Sequence, residues 1–376
     1  EEVTILDENW RVLRDLLPER WRELGVETRA LKGLRKNKSA DELLQTLLIH
    51  LAGGYSLRET ALRARQAGLA EMSDVALLKR LRKCGPWLLE LCRELMRERG
   101  VQEPGGSRRV SVRLLDGTQV KEPGKTGSLW RLHYSVQIPG LECDYFKVTP
   151  ARGRGGGERL EQFALRAGDL VIADAGYATP AGIEYAWQCK AGVLLRMSPH
   201  NLRIYRPSGE RLDWSKTLRE STDPTRGRTW AATVRGSQGT EIPVRICAVR
   251  KTEEAIRQTL KRLHQRAVRS GHELQEATRF HSQYVILVTT FPEARFDAAE
   301  LLAWYRLRWQ IELVFKRFKQ LARLGHLPKH DEESSKAWLY GKLLVALLVE
   351  KLIAQARAFS PWGSRLEPPG ASQPLA

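Results

Sequence analysis

The sequence predicts a mixed α/β domain that is preceded by an all-helical segment and interrupted by a β-rich insertion. In the first 101 residues or so, apolar side chains recur at the three- and four-residue steps that are typical of amphipathic helices. Beyond residue 110, alternating strand patterns are interleaved with helical ones. Elements that alternate in this way build layered α/β domains. With 42% hydrophobic and 28% charged residues in 376, the composition is that of a folded globular chain.

The charge of the chain points to a polyanionic partner. There are 62 Lys and Arg against 44 Asp and Glu, which gives a formal net charge of +18. Solubility alone needs a net charge of only about 2–8 in a small domain. Because Lys and Arg gain free energy by releasing counterions from phosphates, nucleic acid is the partner to expect.

The expected compartment is a reducing cytoplasm. The five cysteines are scattered and include no C-x-x-C pair, so neither a disulfide framework nor a zinc site is indicated. No apolar run approaches the roughly 20 residues of a membrane span, and the start of the chain lacks the apolar core of a signal peptide.

The N-terminal segment, residues 1–104, is predicted to be helical and to bind DNA. Asp7 is placed to cap a helix that runs through Leu24. Ser39 is placed to cap a second helix, which Gly53 and Gly54 would end.

A helix-turn-helix follows in the same segment. Ser56 opens a short helix that stops near Gly68, and Ser73 opens a second helix that carries Arg80 and Lys83. Either basic residue would reach DNA in this arrangement, although short helix pairs and solvated basic faces are common in helical domains.

The α/β part is predicted from residues 105–196, after linker chemistry at 102–109. Its elements are strands at 110–114, 128–138, 143–149, 170–173 and 192–196, with helices at 158–165 and 179–190.

An insertion at 197–283 breaks this rhythm. It contains strand patterns at 203–206, 229–235 and 242–250 and a charged helix at 253–269. The core resumes over 284–359, with a strand at 284–290, a long helix at 297–324 and a second at 335–359. The proline-rich tail, 360–376, is expected to be disordered.

Two aspartates stand where strands end. Asp116 and Asp174 each follow an apolar run, and glycine comes soon after each. Ordinary turn chemistry explains either residue on its own. Two carboxylates at the ends of adjacent strands could also bind divalent cations, because Mg²⁺ prefers carboxylate oxygen.

The long helix supplies a third acid. At about 100° per residue, Tyr305, Arg308, Glu312 and Lys319 fall within one sector of roughly 60°, opposite an apolar face. A solvated face with an Arg308–Glu312 ion pair accounts for this stripe without any function.

The spacing Y-x2-R-x3-E-x6-K of these four residues resembles the signature of the bacterial insertion-sequence transposases of the YREK group, which are DDE enzymes with an RNase H-like core. Two further segments are similar to the family's strands with the first and second aspartates, namely L-L-D-G-T at 114–118 and D-L-V-I-A-D-A-G-Y at 169–177. The resemblance covers roughly residues 35–355. It implies an RNase H-like mixed sheet and cut-and-paste transposition at terminal inverted repeats.

The resemblance also implies site roles. Asp116, Asp174 and Glu312 would bind two Mg²⁺ ions, for which Mn²⁺ could substitute. Tyr305, Arg308 and Lys319 would grip phosphates at the DNA ends. A tryptophan of the insertion, Trp214 or Trp230, would stack on a flipped base, although a core position is the commoner fate of tryptophan. The partner would be double-stranded DNA, bound by a homodimer on paired ends.

Two other functions fit the same residues. Another RNase H-like nuclease, such as a resolvase, would share the acids without the YREK stripe. A decayed transposase acting as a repressor would bind DNA without cutting it.

Overall fold

The computed structural model describes residues 5–34, 38–98, 111–121, 129–138, 142–152, 157–221, 223, 225–320, 327 and 331–358, with backbone alone at 5–9, 129, 317–320 and 356–358. The predicted linker at 102–109 and the predicted tail at 360–376 lie outside these residues. Among the described helices, none combines the length and the apolar character that crossing a membrane requires.

The helices and strands follow the predicted alternation. The helices are α1 (Ile5–Leu16), α2 (Trp21–Glu27), α3 (Ala40–Gly53), α4 (Leu57–Gln66), α5 (Asp74–Glu98), α6 (Pro180–Gln188), α7 (Trp214–Arg219), α8 (Glu253–Arg269), α9 (Glu276–His281), α10 (Ala298–Arg306), α11 (Trp309–Gln320) and α12 (Glu332–Ala358). The strands are β1 (Ser111–Lys121), β2 (Leu129–Ile138), β3 (Glu142–Pro150), β4 (Asp169–Ala173), β5 (Gly192–Arg196), β6 (Arg228–Arg235), β7 (Glu241–Arg250) and β8 (Tyr284–Thr289).

The chain divides into two compact units. One contains residues 1–101, 122–127 and 317–376, and the other contains 102–121 and 128–316. This division differs from the predicted segments, because α12 groups with the N-terminal helices and the insertion groups with the α/β core. The domain boundaries of the sequence analysis otherwise stay a prediction.

Capping residues set several helix ends of the first unit. Ser39 and Glu42 form a capping box at the start of α3, and Gly54 ends that helix in the left-handed conformation. Ser56 caps α4, and the Ser73 hydroxyl accepts from the Ala76 amide at the start of α5. The helix pair predicted here is therefore present, as α4 and α5.

The single helix predicted from Asp7 to Leu24 is wrong. The structure has α1 and α2 instead, separated at residues 17–20. Pro18 lies in the break. Proline has no backbone N–H, so a helix that continued through this position would lack one hydrogen bond. Trp21, the first residue after the break, stacks on Trp87 of α5, and the Trp87 indole donates to the Trp21 carbonyl at 2.8 Å.

The second unit is built on one eight-stranded sheet in the order β3-β2-β1-β4-β5-β8-β7-β6. β1, β4 and β5 run parallel to one another, and the remaining pairs are antiparallel. The insertion strands β6 and β7 join this sheet through β8. The mixed α/β fold class is thereby confirmed, with the insertion extending the core sheet.

Three predicted elements differ in the structure. The helix expected at 158–165 is a single 3₁₀ turn, Leu160–Gln162, and the strand expected at 203–206 is an isolated bridge at Tyr205. The long helix expected over 297–324 is interrupted. Around Leu307 and Arg308 the backbone bonds connect residues three apart, which tightens the turn and separates α10 from α11.

Candidate active site

Asp116 and Asp174 lie at corresponding positions on neighbouring parallel strands. Leu114 of β1 pairs with Ile172 of β4, and each aspartate is two residues further along its own strand or just beyond it. Because side chains alternate with a period of two, both carboxylates belong to the same face and the same end of the sheet.

Asp116 is half-buried and lies near two other acids. Burial raises the pKa of its carboxyl to about 6, and Glu158 and Asp174 add to the rise. The Gly117 amide, which donates to Oδ1 at 2.7 Å, and the guanidinium of Arg308 oppose it. A divalent cation bound between these acids would relieve the concentrated negative charge.

The residues of the stripe connect to the aspartates through Tyr305. Its hydroxyl donates to Oδ1 of Asp174 at 3.4 Å, and burial together with Asp174 raises the pKa of that hydroxyl. The Arg308 guanidinium lies 5.9 Å from the centre of the Tyr305 ring. Arg308 donates to Oε1 of Glu312 at 2.6 Å, so tyrosine, arginine and glutamate form a continuous series from Asp174.

The packing of α11 directs Glu312 toward the same face of the sheet. Phe315 lies three residues after Glu312, and its ring centre is 6.0 Å from that of Tyr134. Tyr134 is the β2 residue directly opposite Asp116. Residues three apart share a helix face, so Glu312 lies one turn from the contact that α11 makes with the cross-strand neighbour of Asp116.

The carboxylates suit a divalent cation in their chemistry. Asp116 and Asp174 supply hard oxygen donors, which Mg²⁺ prefers. In the described part of the chain, no three His, Cys, Asp or Glu side chains converge closely enough to hold an ion. Glu312 is 56% exposed and bonded to Arg308, so its carboxylate must leave Arg308 to join the aspartates.

Two of the basic residues predicted to contact DNA, Arg80 and Lys83, form hydrogen bonds within the protein. Arg80 donates to the backbone oxygens of Ala30, Lys32 and Gly33 at 3.0–3.2 Å, and Lys83 also bonds to the oxygen of Lys32. These bonds attach α5 to the segment after α2, which is an intramolecular role. The side chain of Lys319 lies outside the described residues. DNA contact by all three stays a prediction.

The two insertion tryptophans both pack partly on the core of the second unit. Trp214 is the first residue of α7. The indole of Trp230 donates to Oε2 of Glu220 at 3.1 Å, on the insertion itself. These contacts agree with the core position, and base stacking by either residue stays a prediction.

Sequence reasoning missed two charged residues beside the aspartates. Arg131 of β2 is buried and donates to Oε1 of Glu158 at 2.7 Å. Glu158 is one of the acids that raise the pKa of Asp116. The only sequence signal was an arginine between apolar residues of a predicted strand, a position where an unpaired charge is costly.

Comparison with known proteins identifies the class of this arrangement. A family profile described as "Transposase DDE domain" matches residues 150–348, slightly more than half of the chain. The matched part contains Asp174, Tyr305, Arg308 and Glu312, and Asp116 lies before it.

Relatives extend the match to most of the chain. The transposase for insertion sequence element IS421 of Escherichia coli is 33% identical over 337 residues, which cover 88% of this chain and 90% of the relative. The transposase for element IS231B of Bacillus thuringiensis subsp. berliner is 24% identical over 276 residues, covering 65% of this chain and 57% of the relative. The chain therefore belongs to the DDE transposases of insertion sequences, enzymes that cleave DNA and transfer its strands, in a family that generally uses divalent metal ions.

Proposed function

We propose that the protein is a cut-and-paste transposase that cleaves DNA at terminal inverted repeats and joins the freed ends to target DNA. The observation that carries the proposal is the pairing of two half-buried aspartates, at the ends of adjacent parallel strands, with a series of contacts that runs from Asp174 to Glu312. It would act in the cytoplasm on double-stranded chromosomal DNA, as a homodimer that holds two ends.

In this proposal Asp116, Asp174 and Glu312 bind two Mg²⁺ ions, and Mn²⁺ can replace them. Bound metal would activate the attacking oxygen and neutralise the leaving oxygen in an in-line displacement at phosphorus. Tyr305 holds the Asp174 carboxylate in place by its hydrogen bond. Arg308 holds Glu312 until metal and DNA phosphate compete for the two side chains, after which its guanidinium is free to bind phosphate as a bidentate donor.

Cleavage of a DNA fragment with the element's own ends tests this proposal. Asp116→Asn and Asp174→Asn should each lower Mg²⁺-dependent cutting by more than about 100-fold, since a metal ligand matters at least as much as the groups that orient it. DNA binding should be nearly unchanged. Asp213→Asn is the matched control, because Asp213 caps α7 on the surface and Asn caps equally well.

Two results would contradict the proposal. Cutting by either variant at the parent rate would remove that aspartate from the site. Binding without any cutting by the parent protein would favour the repressor function.

A further inference from the structure

Two buried side chains lie close to Gly117, the residue after Asp116. A Cβ at Gly117 would lie 3.2 Å from the Tyr177 hydroxyl oxygen and 3.5 Å from Cδ of Arg131. Both neighbours are buried. The Cβ position beside Asp116 is therefore within van der Waals range of Arg131 and of the tyrosine of the D-A-G-Y segment.

The glycine that follows Asp174 by two residues also has a side chain close to it. A Cβ at Gly176 would collide with Oε2 of Glu158. The Glu158 carboxylate thus lies against the turn, Ala175–Tyr177, that Asp174 begins.

Arg131 and Glu158 join these two contacts. Nη1 of Arg131 donates to Oε1 of Glu158 at 2.7 Å, while the other carboxylate oxygen is the one that lies against Gly176. The arginine side chain is 8% exposed and the glutamate 39% exposed. One ion pair therefore connects the backbone beside Asp116 with the backbone beside Asp174.

We propose that the Arg131–Glu158 ion pair is a clamp that fixes the separation of Asp116 and Asp174 for divalent-cation binding. Both residues are positioning residues: Arg131 supports β1 at Gly117, and Glu158 supports the turn at Gly176. The clamp rests on the proposed function, because it serves the same two aspartates.

The charges of the pair also suit this role. Glu158 balances the buried charge of Arg131, so the pair places a carboxylate near the aspartates without leaving the arginine unpaired. Hydrogen-bonded groups behind metal ligands change metal affinity by roughly 10- to 100-fold when they are removed. The clamp should therefore affect cation binding before any DNA is present.

The test is Mn²⁺ binding by the full chain without DNA, measured by EPR titration. Glu158→Gln removes the negative charge of the pair at nearly constant side-chain size, and Arg131→Met removes the guanidinium while keeping the length of the side chain. Each variant should weaken Mn²⁺ binding about tenfold. The double variant should be no weaker than either single one, because both act through one contact. Glu253→Gln, which removes the charge of the 2.6 Å pair with Arg250 at the start of α8, is the matched control and should bind Mn²⁺ normally.

Other outcomes overturn the clamp. Unchanged Mn²⁺ affinity with a lowered melting temperature would make the pair a stabilising contact only. A loss with Glu158→Gln alone would make Glu158 a direct ligand that does not need Arg131. Either result can accompany normal DNA cleavage, so failure of the clamp is distinct from failure of the proposed function.

A second variant pair keeps the proposal testable if Arg131→Met does not fold. Gly176→Ala should displace the Glu158 carboxylate and weaken Mn²⁺ binding to the same extent as Glu158→Gln. In a Glu158→Ala background the collision is absent, so Gly176→Ala should cause no further loss. An equal loss in both backgrounds would contradict the clamp.

Discussion

Arg113 is buried in the middle of β1 between two carboxylates. Its Nε lies 2.5 Å from Asp144, and its Nη1 lies 2.7 Å from Asp169, the first residue of β4. Nη1 also donates to the Ala164 carbonyl at 2.8 Å. The group connects β1, β3 and β4 through charge, and β1 and β4 are the strands that lead to the candidate aspartates.

Arg113→Met should therefore be strongly destabilising. It leaves two buried carboxylates without a counterion, a change that typically costs about 3–5 kcal/mol. Urea unfolding followed by circular dichroism measures the loss. Arg235→Met, which breaks an exposed pair with Glu241, is the control and should cost at most about 1 kcal/mol. Equal losses in the two variants would show that the buried network adds no stability.

For single residues, the sequence predicted that acidic side chains stand at two strand ends. It did not predict which charged side chains form ion pairs. Asp116 and Asp174 could be identified because each ends an apolar run. Glu158 belongs to a segment expected to be helical, and its partner Arg131 is 27 residues away. The ion pair forms because of the strand order and the 3₁₀ turn at Leu160–Gln162. Local sequence patterns predict neither of these features.

One side chain at the start of α12, Asp331, both caps the helix and pairs with α5. Asp331 accepts from the Ser334 amide at 2.9 Å and pairs with Arg82 of α5 at 2.8 Å. Partial burial acts to raise the pKa of Asp331, but hydrogen bonds from Arg82 and Ser334 outweigh it and lower the pKa to about 2. The ionised carboxylate therefore caps α12 and attaches it to α5 within the same unit.

Asp331→Asn should lower the melting temperature at pH 7 while keeping the cap. The folded pKa lies below the unfolded value of about 3.9. The stabilisation is therefore complete above about pH 4 and is lost as the pH falls toward 2. Thermal unfolding at pH 7, 4 and 2.5 should give a difference from the parent that shrinks with decreasing pH. A constant difference would mean that the charge of Asp331 contributes nothing.

Helix boundaries could be predicted where the sequence has a capping residue, a glycine or a proline at the helix end. Ser39 and Gly54 mark the two ends of α3, and Pro18 marks the break between α1 and α2. The break at Leu307 and Arg308 contains neither glycine nor proline. The apolar periodicity of the sequence therefore runs through it and predicts one continuous helix. The pairing of β7 with β8 also lacks a local signal, since α8 and α9 separate the two strands along the chain.

For the whole molecule, the candidate site draws on distant parts of the chain. Asp116 comes from β1, Asp174 follows β4 and Glu312 comes from α11, after the insertion. The eight-stranded sheet brings the two aspartates together, and the contacts of Tyr305 and Arg308 lead from them to Glu312. The central claim is that these acids form one metal site, and Glu312 is the member whose carboxylate must move.

Metal-specific rescue of Glu312→Cys tests that claim most directly. A thiolate binds softer cations in preference to Mg²⁺, and the side chain is exposed enough to change without damage to the core. Cleavage of the element's own DNA ends should be lost with Mg²⁺ and return in part with Mn²⁺, whereas Glu312→Ala should stay inactive with both ions. Parent-level cutting by Glu312→Ala with Mg²⁺ would contradict the account.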